Sequence, residues 1–140
     1  MTTSFLKVEK NRIITSAHQP IILKGVNLGG WLMMEGYILH APNRAEQLFK
    51  KNFAKALGPA ALASFEKDFR DHFIQERDFR RIAQLGFNCV RLPFNSRLID
   101  LRNTRCCGGQ YLDRAIAWAK KYKIWVILDL HAACGSQNCD

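Results

Sequence analysis

No window of the 140-residue chain approaches the roughly 20 consecutive apolar residues that a bilayer-spanning helix needs, and its opening, "MTTSFLKVEK", has no apolar block followed by a cleavage site. No membrane partner is expected, and the location expected is cytoplasmic, with secretion as the alternative. A phosphate-cradling loop is missing too: "GVNLGGW" lacks the G-x-G-x-x-G spacing and does not open directly into an apolar helix. Ser136 has no G-x-S-x-G frame, which removes the nucleophile elbow. Internal repeats and low-complexity segments are also absent. These absences count against dinucleotide, phosphoryl and acyl chemistry, and no cofactor is expected.

What is present is a globular composition. Hydrophobic residues make up 48% and charged residues 24%, enough apolar material for one domain-sized core. A formal charge of +9 invites a nucleic-acid or anionic-surface reading. The pattern argues otherwise, because cations alternate with carboxylates, as in "FEKDFRDHFIQERDFRR", which reads as a solvated helix face laced with i,i+4 pairs. A basic nucleic-acid binder is therefore the weaker alternative, and no nucleic-acid partner is expected. The five cysteines are an odd number and read as thiols. His131, Cys134 and Cys139, with Asp140 or His40 as a fourth, form a conceivable zinc set, but zinc sites of known type use tighter Cys pairs. No metal is expected.

Along the chain, "FLKVE" and "PIILKG" predict two short strands of a hairpin, with polar turns near Asn11 and from Ser16 to Gln19. "ILKGVNLGGW" carries a strand into a Gly-Gly break. Helical stripes follow: Leu48, Phe49 and Phe53, ended by Gly58-Pro59; Leu62, Phe65, Phe69 and Phe73; then Phe79, Ile82, Ala83 and Leu85, closed by Gly86. "FNCVRLPF" reads as a strand interrupted by Arg91 and stopped by Pro93. "YLDRAIAWAKKYK" is a helix, and "IWVILDLH" a third near-continuous apolar strand. Strand, helix, strand, helix, strand predicts a parallel α/β sheet. About forty residues lie between the first of these strands and the helix that ends at Leu85, where two to six are usual, so helices of this stretch should sit over the strand ends.

In parallel α/β folds ligands bind at the carboxyl ends of strands. Three strands end in polar residues: Asn27 with nearby Glu35, Arg91, and Asp129 with His131. Alternation puts Cys89 and Arg91 on one side of their strand, and Ile127, Asp129 and His131 on one side of the next. Arg91, Asp129 and His131 should converge. A buried Arg needs a carboxylate, for which Asp129 is the nearest candidate, and a purely structural ion pair is the plainer alternative.

Four blocks in order, "LKGVNLGGWLMMEGY", "FIQERDFRRIAQLGFNCVRLPF", "YLDRAIAWAKKYKIWVILDLH" and "GSQN", resemble the family 5 glycoside hydrolases, especially the branch containing exo-β-1,3-glucanases. The resemblance implies a (β/α)8 TIM barrel, here truncated after the third strand and preceded by a β-hairpin. Residues 1–140 would then be the N-terminal part of one catalytic domain, since such a barrel takes about 250 residues. It also implies retaining hydrolysis of a β-glucan or β-glucoside by two Glu carboxyls roughly 5 Å apart. The acid/base belongs after the fourth strand and the nucleophile on the seventh, so neither catalytic residue is expected in this chain. The residues that do match have supporting roles. Arg91 corresponds to the arginine that orients and ionises the nucleophile, His131 to a histidine bonded to a sugar hydroxyl, and Glu35 to an acidic residue that binds the terminal glucose. Asp129 is Arg91's expected partner.

The family's "DLHGAPGSQNG" appears as "DLHAACGSQNC", with Ala132, Cys134 and Cys139 at the departures, and Gly36 stands where the glucanases often have Pro. These changes bear on linkage preference more than on family. The chain alone is expected to be inactive, its open sheet edge inviting self-association. A noncatalytic carbohydrate-binding fragment is the first alternative.

Overall fold

A computed structural model describes residues 5–99 and 108–132. Two strands, β1 (Lys7–Glu9) and β2 (Arg12–Ile14), form an antiparallel hairpin. A parallel sheet follows, built from β3 (Gly25–Asn27), β4 (Cys89–Asn95) and β5 (Trp125–Ala132) in the order β3-β4-β5. Between β3 and β4 lie α1 (Glu46–Leu57), α2 (Pro59–His72) and α3 (Glu76–Gln84); between β4 and β5 lie a 3-10 turn (Ser96–Ile99) and α4 (Gly109–Lys121). No described helix is long and apolar enough to cross a membrane.

The helices form where their termini are chemically satisfied. Gly58, at φ +92°, turns the chain out of α1 in a conformation an L side chain resists, and Pro59 then opens α2 with its φ already helical. At α3, Gln75 and Asp78 make a reciprocal capping box, the Gln75 backbone N–H donating to Asp78 Oδ2 at 2.7 Å. The aromatic stripes read from the sequence join α1 to α2: Phe53 and Phe65 stack at 5.1 Å, and Phe49 meets Phe65 edge-on at 5.8 Å.

The core lies on one face of the sheet. Val90, Leu92 and Phe94 of β4 pack against Phe79 of α3 and Tyr111, Ala115 and Ala119 of α4, with Trp31 and Leu32 from the segment after β3. Trp31 and Trp118 stack at 6.3 Å, and the Trp31 indole N–H donates to the Arg70 carbonyl at 2.8 Å, which ties α2 to this core. β5 is covered less: Leu128 and Leu130 are each 51% exposed.

Two expectations need correction. The hairpin closes at Lys10-Asn11, and "PIILKG" is not its second strand; beyond one bridge from Pro20 to Ile14, that segment is held by Asn88, whose side chain accepts from Lys24 N at 2.8 Å and donates to Ile22 O at 2.9 Å. Nor does Pro93 stop its strand. It pairs with Asp129 inside β4. On the β3 side, Leu28 N reaches the Arg91 carbonyl and Asn95 N reaches the Leu32 carbonyl, so the missing N–H of Pro93 falls in the gap between them.

Candidate active site

The register of the parallel sheet places Asn27, Arg91 and Ile127 side by side. Two residues further along β5 comes Asp129, on the same face by alternation. His131 has a different origin. Phe94 pairs with Leu130 and Asn95 with Ala132, so His131 is the extra residue of a bulge, a device that re-aims a side chain at a strand end.

These three side chains meet. Arg91 Nη2 lies 2.5 Å from Asp129 Oδ2, and His131 Nδ1 lies 2.9 Å from the same oxygen. Arg91 Nη2 is also 2.9 Å from His131 Nδ1, and Arg91 Nη1 donates to Asn27 Oδ1 at 3.3 Å. Oδ2 is shielded from solvent and receives no contact with hydrogen-bond angles, so the Arg91 cation holds it by charge rather than by a directed bond. With a lone pair on Nδ1 the imidazole accepts from Arg91.

A cavity of about 200 Å³ opens on this side, lined by Gly25, Val26, Asn27, Cys89 and Arg91. Burial pushes the Cys89 thiol above its ordinary value, which disfavours the reactive thiolate. A larger cavity, about 620 Å³, lies between α1, α2 and the start of α4. Its wall carries a relay of ion pairs in which Lys50 bridges Glu46 at 2.5 Å and Glu66 at 2.7 Å, and Arg70 meets Glu66 at 2.9 Å.

Glu35 lies in the turn after β3 and is only 8% exposed. The Tyr37 hydroxyl donates to Glu35 Oε1 at 3.2 Å; the Glu35 charge and this bond raise the Tyr37 phenol above its ordinary value, while the Arg91 charge pulls it down. Tyr37 thus sits within the field of both residues.

Arg91, Asp129 and His131 are therefore assembled, with Glu35 nearby through Tyr37. Asn27, read as a strand-end residue, proves to hold the guanidinium. Tyr37 was missed, its only signal being its place two residues after a carboxylate in a glycine turn. Of the conceivable zinc set, Cys134, Cys139 and Asp140 lie outside the described residues, and among those described no three potential ligands cluster.

No protein-family model matches the chain. Curated relatives do. It is 36% identical over 141 residues to a beta-xylosidase of Phanerodontia chrysosporium, covering 98% of this chain and 29% of that protein. It is 36% identical over 130 residues to glucan 1,3-beta-glucosidase I/II of Saccharomyces cerevisiae, covering 83% and 29%. The chain thus spans about three-tenths of these relatives' length. Among solved structures, rutinosidase from Aspergillus niger superposes on 80% of the chain and 33% of its own, with a TM-score of 0.58 and 24% identity, a likeness of fold.

Proposed function

Because the chain belongs by sequence to the glycoside hydrolases that include the glucan 1,3-beta-glucosidases, we propose that it is the N-terminal part of a retaining β-glucan hydrolase. Residues 1–140 would supply the first three strands of one (β/α)8 catalytic domain. The observation that carries this reading is the convergence of Arg91, Asp129 and His131 at the ends of two adjacent parallel strands. Strand ends are where such folds do chemistry.

In this reading each group has a task. Asp129 and Asn27 fix the guanidinium of Arg91, leaving a planar cation suited to orienting a carboxylate nucleophile and keeping it ionised. His131, aimed by the bulge and held at Nδ1 by Arg91, meets a sugar hydroxyl. Glu35, mostly buried, accepts from hydroxyls of the terminal sugar. The acid/base and nucleophile carboxylates would come from later strands of the whole enzyme, so this chain binds saccharide without cleaving it. The apolar, half-exposed β5, paired only to β4 among the described strands, supports self-association of the isolated chain.

The test is a titration of the isotope-labelled chain with glucose and laminaribiose, followed by NMR. The reading expects saturable shifts at Arg91 and His131 that vanish in Arg91→Met. Shifts absent from these positions at saturating sugar would contradict it.

A further inference from the structure

The turn that carries Glu35 is unusually constrained. Ile38 N and Leu39 N both donate to the Glu35 carbonyl, at 3.0 and 3.2 Å, and Ala41 N donates to the Gly36 carbonyl at 2.9 Å. Gly36 is pressed against the chain's return path, where a Cβ would stand 2.1 Å from the Pro42 carbonyl oxygen. The backbone on either side of Gly36 is thereby held, with Glu35 turned inward and Tyr37, 64% exposed, turned outward over it.

An ionised carboxylate on a side chain with three torsions is a poor recognition element unless something sets its plane, because each unset rotamer costs affinity on binding. Tyr37 supplies what is needed. Its hydroxyl reaches Glu35 Oε1, taking up one of the roughly four acceptor positions that a carboxylate presents. We propose that Tyr37 is a positioning residue, which holds the Glu35 carboxylate in the orientation that accepts a saccharide hydroxyl on the Arg91 side of the sheet. The proposal rests on the saccharide-binding reading above and adds to it the residue that sets Glu35. At 3.2 Å the bond is long for a hydroxyl donor, so Tyr37 acts by orientation more than by strength.

The test has two arms on the full 140-residue chain. In the first, the tyrosine ring carbons are labelled and each phenol is titrated by NMR. The Tyr37 midpoint should fall toward the ordinary tyrosine value in Glu35→Gln, while Tyr111 and Tyr122 stay put; an unmoved Tyr37 midpoint overturns the proposal. In the second arm, glucose and its monodeoxy analogues are titrated into the unaltered chain, Tyr37→Phe and Glu35→Gln. One deoxy analogue should bind more weakly than glucose to the unaltered chain, and that penalty should vanish in Glu35→Gln. In Tyr37→Phe it should shrink by about fivefold, the scale of one ordinary hydrogen bond, with the other analogues unaffected. An unchanged penalty in Tyr37→Phe overturns the proposal. No glucose binding by the unaltered chain, with a Tyr37 midpoint that still answers to Glu35→Gln, overturns the saccharide reading and leaves the Tyr37–Glu35 coupling in place.

Discussion

Arg91 Nη2 stands 2.5 Å from Asp129 Oδ2 and 2.9 Å from His131 Nδ1, so one edge of a guanidinium gathers two side chains of the neighbouring strand. Both members of the ion pair keep about a third of their side-chain surface in water. Solvent screening therefore limits what the pair adds to stability. Asp129→Asn should lower the unfolding free energy by about 1 kcal/mol or less, and a double-mutant cycle with Arg91→Met should give a coupling of the same order. Urea unfolding measures both. A loss above about 3 kcal/mol would place the pair among buried ion pairs instead.

The stability resides in the layer on the opposite face. Phe79 is fully buried between Trp118 and the β4 side chains, its ring 5.6 Å from the indole. Phe79→Ala should cost about 3–5 kcal/mol by urea unfolding, the usual range for emptying an aromatic site. A cost under 1 kcal/mol would show that α3 is not anchored there.

Two glycines without unusual φ values should respond in opposite directions. Gly36→Ala forces a methyl group against the Pro42 carbonyl, a backbone atom that cannot swing aside. It should destabilise by about 1–3 kcal/mol, as overpacking does. Gly109, at the start of α4, has nothing within 4 Å of its Cβ position. Gly109→Ala should be neutral or stabilise by up to about 1 kcal/mol through helix propensity and a less flexible unfolded chain. Thermal melts of the two variants side by side decide the matter.

Acid should loosen α4 from the helices it packs against. Asp71 is held below the usual carboxylate range by hydrogen bonds from Lys67 and Arg114, and Glu76 by those from Lys121 and Tyr122. For a carboxyl whose folded value is depressed, the unfolded chain takes up the proton first as pH falls. The stabilisation is thus complete above the unfolded value of about 4 and is lost as pH drops from there through the lower folded value. Urea midpoints measured down this acid range should fall, and the fall should be shallower in Asp71→Asn/Glu76→Gln. An equal slope in the double variant would show that these pairs are not linked to folding.

Much of this arrangement was legible in the residues. The period-two alternation of "IWVILDLH" and the lone cation in "FNCVRLPF" suffice to bring Arg91 and Asp129 to one face, because parallel strands in register align alternate positions. The aromatic stripes of α1 and α2 follow equally from their 3.6-residue period. What could not be read depends on tertiary placement. The bulge that aims His131 arises from pairing with Asn95, which no local pattern announces. Pro93 reads as a breaker until the gap between Leu28 and Leu32 is seen beside it. "PIILKG" has strand composition, yet the Asn88 side chain satisfies its backbone in place of a ladder. Tyr37 comes to Glu35 through the Gly36 turn, whose tightness depends on the approach of Pro42.

The central claim is that this chain carries the saccharide-orienting half of a retaining glycosidase site without its two catalytic carboxylates. The most direct measurement is hydrolysis of an aryl β-glucoside and of laminarin by the purified 140-residue chain, with glucose binding followed in the same preparation. The account predicts binding with no turnover above the protein-free blank. Turnover that is abolished by replacing one of the chain's own carboxylates, Glu35 or Asp129 among them, would contradict it.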